Sequence, residues 1–252
     1  MTIKAITFDF WQTLYKSKPF DFDERLRQTQ ADVNRGSNSQ FTLDEIRAAV
    51  TVARDAWTNA WATEHRTISA NECLSIMLAQ LGASLSPADK QQMAIRMENS
   101  ILKNKPVLVD EARTVLAELA TRYSLAIISD TGITPGRVLR QIMVEDNVAD
   151  YFTHLTFSDE LGRSKPHPDA FLATLNALNA KPEEGVHIGD LLRTDIIGAQ
   201  GVGMRGVQYV GVNKDEFARA LDLPPDSPVT PDAVIDNHAK LLPLLKSWNG
   251  SV

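Results

Sequence analysis

Residues 3 to 8, Ile-Lys-Ala-Ile-Thr-Phe, are β-rich and deliver Asp9 at their carboxyl end, which predicts a short strand. The pattern then turns helical and stays so from about residue 20 to residue 104. A first helix is expected from roughly 20 to 35. Thr42 and Glu45 form a capping box ahead of an apolar stripe of Ile46, Val50, Ala53, Trp57 and Trp61. Ser69 with Glu72 opens the next helix, striped by Leu74, Met77, Leu78 and Leu81, and Ser86-Pro87 starts a fourth with Pro in its first turn. Gly36 and Gly82 fall at breaks between them. Four helices with apolar stripes predict a small bundle, inserted between the first strand and the rest of the chain.

After Pro106 helices and strands alternate: a helix near 110–122, a strand at 125–128, a Pro-started helix from 135 and a strand at 154–157. A helix from 168 to about 179, a strand at 186–188, a helix from 195, a strand at 207–210 and one at 233–235 follow, before a last helix. The strands are mostly apolar rather than alternating, as in a parallel sheet covered on both faces. The expected fold is therefore α/β, a doubly wound Rossmann-like core of residues 1–16 and 105–252, with residues 17–104 as an inserted helical domain.

Composition leaves this picture intact. Of 252 residues 43 % are apolar and 23 % charged, enough to bury a sizeable core. The 26 basic against 32 acidic residues give a net charge of −6 with no dense basic cluster, so nucleic acid is not expected as a partner. Cys73 is the single cysteine, which excludes an internal disulfide and suits a reducing compartment. Its place on a bundle helix predicts a buried, unreactive thiol. The N-terminal segment has no signal-peptide pattern and no apolar run approaches membrane-spanning length, so a cytoplasmic protein, monomer or homodimer, is expected.

Parallel sheets bind ligands beyond the carboxyl ends of their strands. The first strand ends in Asp9, the second in Ser129-Asp130-Thr131, Lys165 follows the third, and the fourth ends in Gly189-Asp190. Crowded carboxylates need a counter-ion, and oxygen-only ligands without His or Cys suit Mg²⁺. Asp9, bare at a strand tip, is a candidate nucleophile, while Ser129 and Lys165 are what a phosphoryl oxygen requires.

Asp9-Phe10-Trp11-Gln12-Thr13-Leu14, Ile127-Ile128-Ser129-Asp130, Ser164-Lys165-Pro166 and Ile188-Gly189-Asp190 with Thr194-Asp195 resemble, in order and spacing, the four motifs of the haloacid dehalogenase-like hydrolase superfamily. The helical insert resembles that superfamily's cap, and residues 158–162 are similar to its segment ahead of the lysine. The resemblance implies a hydrolase in which Asp9 attacks a small phosphorylated metabolite and forms an aspartyl-phosphate. Asp9, Asp190 and the backbone carbonyl of Trp11 would ligate Mg²⁺. Ser129 and Lys165, with Asp130 and Thr131 beside them, would form the substrate-binding edge, and Asp195 would orient Lys165 or lie in the metal's outer shell. Cap residues would close over the site and choose the substrate.

One position departs from the pattern. Most phosphatases of the superfamily carry a second Asp two residues after the nucleophile, where this chain has Trp11. An indole exchanges no proton at neutral pH, so an acid–base contribution of about 10² to 10⁴ in rate is missing there. Alkyl phosphates should suffer most. An aromatic residue here is also similar to the dehalogenases themselves, which keeps a 2-haloacid dehalogenase reading open, alongside that of a catalytically weak binding or regulatory homologue. Elsewhere Trp57, Trp61, Met93 and Met97 read as core packing. The five histidines show no ligand spacing, although His167 follows Lys165 closely enough to approach the crevice.

Overall fold

The structure, a computed structural model, describes residues 2–19, 21–212, 222–223 and 227–250. Phe20, where the first insert helix was expected to begin, lies outside them. The chain opens with strand β1 (Ala5–Phe8) and a two-residue strand β2 (Tyr15–Lys16). Helices α1 (Phe22–Gly36), α2 (Leu43–Asn59), α3 (Ala70–Leu81) and α4 (Pro87–Asn99) follow. The chain returns through β3 (Val107–Leu108), whose two residues pair antiparallel with β2.

Thereafter come α5 (Ala112–Ala120), β4 (Ser124–Ser129), α6 (Gly136–Glu145), β5 (His154–Phe157), the one-turn α7 (Ser158–Leu161) and α8 (Pro168–Ala177). Strand β6 (Gly185–Gly189), α9 (Ile197–Gly201), β7 (Arg205–Tyr209), β8 (Ala233–Ile235) and α10 (Leu241–Trp248) complete the described chain. Among the described residues six strands form one parallel sheet in the order β5-β4-β1-β6-β7-β8. The earliest strand is therefore central, flanked by β4 and β6. Alternate residues of β1 face opposite layers. Ile6 and Phe8 join the cluster formed with α5, α6 and α10, and Ala5 joins the one beneath α8 and α9. This is the doubly wound α/β sheet expected from the alternation.

The inserted helices carry an apolar cluster of their own, built on Leu26, Val33, Ile46, Ala49, Ala53, Leu74, Met77 and Met93. Both capping boxes form: the Glu45 amide donates to Thr42 Oγ1 at 3.3 Å and the Thr42 amide to Glu45 Oε2 at 2.8 Å, with the same reciprocity between Ser69 and Glu72. Gly82 ends α3 in the left-handed region, φ 59°. Two departures from the expected helices matter for function. The α2 stripe does not run on as α-helix to Trp61, because residues Ala60–Glu64 form a π-turn that ends in a left-handed His65, φ 50°. Similarly, the helix expected from 195 begins as a π-turn over Leu192–Ile196. Such turns re-aim side chains, and both lie beside the carboxyl ends of the sheet. No helix among the described residues is long and apolar enough to cross a membrane.

Candidate active site

The Asp9 amide donates to Ile188 O at 2.8 Å, which fixes Asp9 at the carboxyl end of the central strand, beside β6. The chain then curls tightly. Gln12 takes φ 56°, its amide donates to Tyr15 O at 2.8 Å, and the Tyr15 amide donates back to Phe10 O at 2.8 Å. Phe10 stacks on Tyr15 with ring centroids 4.3 Å apart, so the turn is anchored in the core beneath it. Trp11 is half-buried, its ring packed edge-on against Phe10.

Lys165 follows α7 and is 2 % exposed; its Nζ donates to Asp9 Oδ1 and to Asp195 Oδ1, each at 2.6 Å. Asp9 is 5 % and Asp195 1 % exposed, so both carboxylates are nearly dry. Burial disfavours their ionised forms, but their partners differ. Burial, reinforced by Asp195, pushes Asp9 above the usual carboxylate range despite Lys165. In Asp195 burial acts the same way but is outweighed by Lys165 and by a hydrogen bond from His187 at 3.1 Å, holding it below that range. For Lys165 the three carboxylates Asp195, Asp9 and Asp130 overcome burial and keep it protonated.

Asp195 reaches this position because Gly189 has no side chain. A Cβ there would lie 2.2 Å from Asp195 Cγ. The other carboxylate oxygen, Oδ2, accepts the Leu191 amide at 2.9 Å. Asp190, 4 % exposed, follows directly at the end of β6.

The remaining expected residues are divided between the crevice and its seam with the helical insert. Ser129 ends β4 and is buried, its hydroxyl 3.4 Å from Asp130 O. Asp130 accepts from the Lys165 amide on Oδ1 at 2.9 Å and from the Trp61 indole on Oδ2 at 2.7 Å. Burial raises its pKa, opposed by Lys165 and Trp61. Thr131 is fully buried; its amide donates to Ser158 Oγ at 2.8 Å and its hydroxyl to Asp159 Oδ1 at 3.0 Å. Thr67 of the insert donates to Thr131 O at 3.0 Å, and the Ser164 amide donates to His65 O at 2.7 Å. His167 caps α8, its Nδ1 accepting the Asp169 amide at 3.3 Å. Cys73 is buried, which pushes its thiol up to about 11.

Three features escaped the sequence reading. Trp61 is more than core packing: besides bonding Asp130 it lies under the Arg193 guanidinium, 4.0 Å from ring centre to Cζ, and stacks on Trp57 at 5.6 Å. The π-turns that aim Trp61 and Arg193 at each other have no simple sequence signature. Thr7 and His187 are linked at 2.8 Å inside the sheet. Their signal was available, since each is a polar residue within an otherwise apolar strand buried on both faces.

The donor set suits a hard divalent cation. Asp9 and Asp195 accept from Lys165 Nζ and Asp130 from the Lys165 amide, Asp190 directly follows the end of β6, and Asp9 Oδ2 accepts no hydrogen bond among the described residues. No three acidic, His or Cys side chains form a metal-ready cluster among the described residues. A cation at Asp9 and Asp190 would complete its shell with backbone and water oxygens, as Mg²⁺ commonly does.

A profile of the haloacid dehalogenase-like hydrolases matches residues 3–203. The chain is 36 % identical over 121 residues to the glyceraldehyde 3-phosphate phosphatase of Pyrococcus furiosus, a stretch covering 47 % of this chain and 48 %, about half, of that relative's length. It is 24 % identical to the enzyme of the same name from Methanopyrus kandleri over 97 % of each chain. In three dimensions it is similar to a 2-haloacid dehalogenase from Pseudomonas syringae, with TM-score 0.70, 25 % identity and coverage of 98 % of this chain and 100 % of that one. With the parallel sheet and the Asp9–Lys165–Asp195 constellation, the match over four-fifths of its length shows that this chain belongs to the haloacid dehalogenase-like hydrolases.

Proposed function

We propose that the protein is a Mg²⁺-dependent phosphatase of a small phosphorylated metabolite, working through a phosphoryl group carried on Asp9. The observation that carries this reading is Lys165 Nζ, buried and 2.6 Å from both Asp9 and Asp195. A desolvated lysine beside a strand-tip carboxylate offsets charge on the nucleophile and on a dianionic phosphate ester arriving next to it. The glyceraldehyde 3-phosphate phosphatase name of two relatives supports a phosphorylated substrate.

In this reading a carboxylate oxygen of Asp9 bonds to phosphorus while the bond from phosphorus to the leaving oxygen breaks. Water then hydrolyses the aspartyl-phosphate, returning the carboxylate and inorganic phosphate. Ser129 donates its hydroxyl proton in a hydrogen bond to a phosphoryl oxygen, and Lys165 stays protonated throughout. Asp195 holds Lys165 in place. Asp9, Asp190 and the Trp11 carbonyl would hold the Mg²⁺, which supplies neutralisation of phosphoryl charge when bound. Asp130 and Thr131 support the edge rather than donate to substrate, since their side chains already serve Lys165, Trp61, Ser158 and Asp159. Residues 17–104 act as the cap domain over a core of 1–16 and 105–252, in a cytoplasmic protein that is a monomer or homodimer.

Trp11 sets the substrate preference, because no side chain at that position protonates the leaving group. With Mg²⁺, p-nitrophenyl phosphate and acetyl phosphate should turn over at least about 10² faster than glycerol 3-phosphate. EDTA and Asp9→Asn should each abolish phosphate release. Turnover that survives Asp9→Asn refutes the nucleophile. The same Trp11 favours a second reading, displacement of halide from carbon, in which the leaving group needs no proton. Chloride release from a 2-haloacid in EDTA would select that reading.

A further inference from the structure

The geometry points to His187 as a positioning residue that aims Lys165 through Asp195, with Thr7 holding the ring in place by donating to its other nitrogen. The inference goes beyond the phosphatase reading but rests on it for the role of Lys165.

Strands β1 and β6 pair in register with Thr7 opposite His187, so the two side chains stand together on one face of the sheet. Two residues further on, that face carries Asp9 on one strand and Gly189 on the other. The space left by the missing side chain of Gly189 admits the Asp195 carboxylate, which lands between His187 and Lys165. The result is one continuous chain of contacts. Thr7 Oγ1 lies 2.8 Å from His187 Nδ1, His187 Nε2 3.1 Å from Asp195 Oδ1, and Lys165 Nζ 2.6 Å from that same oxygen and from Asp9 Oδ1.

Proton positions follow from the partners. Asp195, held ionised, only accepts, so His187 Nε2 carries its hydrogen. Burial lowers the His187 pKa despite Asp195, so the ring is neutral and Nδ1 must accept. The Thr7 hydroxyl is the donor at 2.8 Å, with Val186 O at 3.4 Å a poorer target. The ring is 0 % exposed and packs perpendicular to Phe171 at 5.2 Å, which excludes water and restricts rotation. Asp195 itself selects this tautomer, since the opposite one would set the Nε2 lone pair against the carboxylate, and Thr7 holds the ring's orientation by donating to Nδ1. Without the His187 ring Asp195 would lose its second donor on Oδ1, and the lysine it restrains would be free to settle on Asp9 alone. Partners that orient a ligand or reactive group from behind in this way are commonly worth about 10- to 100-fold in activity.

The test combines spectroscopy on the metal-free protein with kinetics in Mg²⁺. Long-range ¹⁵N–¹H correlation spectra at neutral pH should show His187 neutral and protonated on Nε2, and Thr7→Val should keep that tautomer while shifting the Nδ1 resonance downfield as it loses its hydrogen-bond donor. A charged ring, an Nδ1–H ring in the parent protein, or an Nδ1 resonance indifferent to Thr7→Val overturns the inference. With p-nitrophenyl phosphate, His187→Leu should lower kcat about 10- to 100-fold with KM changed less than about threefold. His187→Gln, whose side-chain amide places a donor near the Nε2 position, should recover most of that loss. A Gln variant as impaired as Leu, or a Leu variant with full kcat, also overturns it. Should His187→Leu fail to fold, His187→Gln and Thr7→Val carry the test. Absence of turnover in the parent protein would count against the phosphatase reading, leaving the spectra to decide the placement of His187 by itself.

Discussion

Lys165 holds two buried carboxylates at 2.6 Å, and removing it would strand both. Breaking a buried ion pair from one side typically costs about 3–5 kcal/mol, so Lys165→Met should lose stability of that order in urea unfolding with EDTA present. Part of the loss should return on adding Mg²⁺, which would offset the same carboxylates. Gly189→Ala tests the neighbouring contact. Its methyl would meet Asp195 at 2.2 Å, and overpacking of this kind costs about 1–3 kcal/mol. Chemical denaturation should register that cost together with a loss of phosphate release, since Asp195 must move. At this scale strand ends marked Asp9, Lys165 and Asp190 in the sequence, and the family resemblance added Asp195. Neither exposed Trp61 on Asp130, since a contact across 69 residues depends on how the insert docks.

Among the elements, the turn at His238–Lys240 contains the least satisfied group of the core. His238 is buried, stacks on Tyr209 at 4.4 Å, and neither ring nitrogen has a hydrogen-bond partner among the described residues. Burial lowers its pKa from 6.5 to about 4. Between those values the unfolded chain binds the proton and the folded one does not. Stability should therefore fall as pH drops from about 6.5 to about 4, by at most roughly 3 kcal/mol from this residue. His238→Phe should remove that component, measured as the difference between wild-type and variant unfolding free energies across the same pH range. The elements themselves were largely legible: all six sheet strands and the four insert helices fell where apolar runs and capping residues put them. The π-turns at Ala60–Glu64 and Leu192–Ile196 were not, because no residue pattern separates one wide turn from the α-helix around it.

For the whole molecule, specific polar contacts join the helical insert to the sheet's carboxyl edge, beside the apolar packing of Ile133 on the insert's cluster. Trp61 on Asp130, Thr67 on Thr131 and Ser164 on His65 cross this seam, and Arg137 reaches Asn99 at 3.0 Å. Trp61→Phe keeps the ring but leaves Asp130 Oδ2 without its donor, a loss worth about 1–3 kcal/mol where the acceptor is buried. The expected outcome is a several-fold rise in KM and faster amide exchange in β2 and β3, the two connections that must flex if the seam opens. Unchanged exchange would show that the remaining contacts suffice to hold it. Those connections have a wider consequence. Lys16 stands opposite Val107 in the ladder, so the polypeptide departs from the sheet and rejoins it at a single spot. The intervening bundle is thus a cassette whose two ends are already spliced side by side. Grafting a different bundle, or a tight turn, between Lys16 and Val107 would exchange what approaches Asp9 while leaving the strand that bears it untouched.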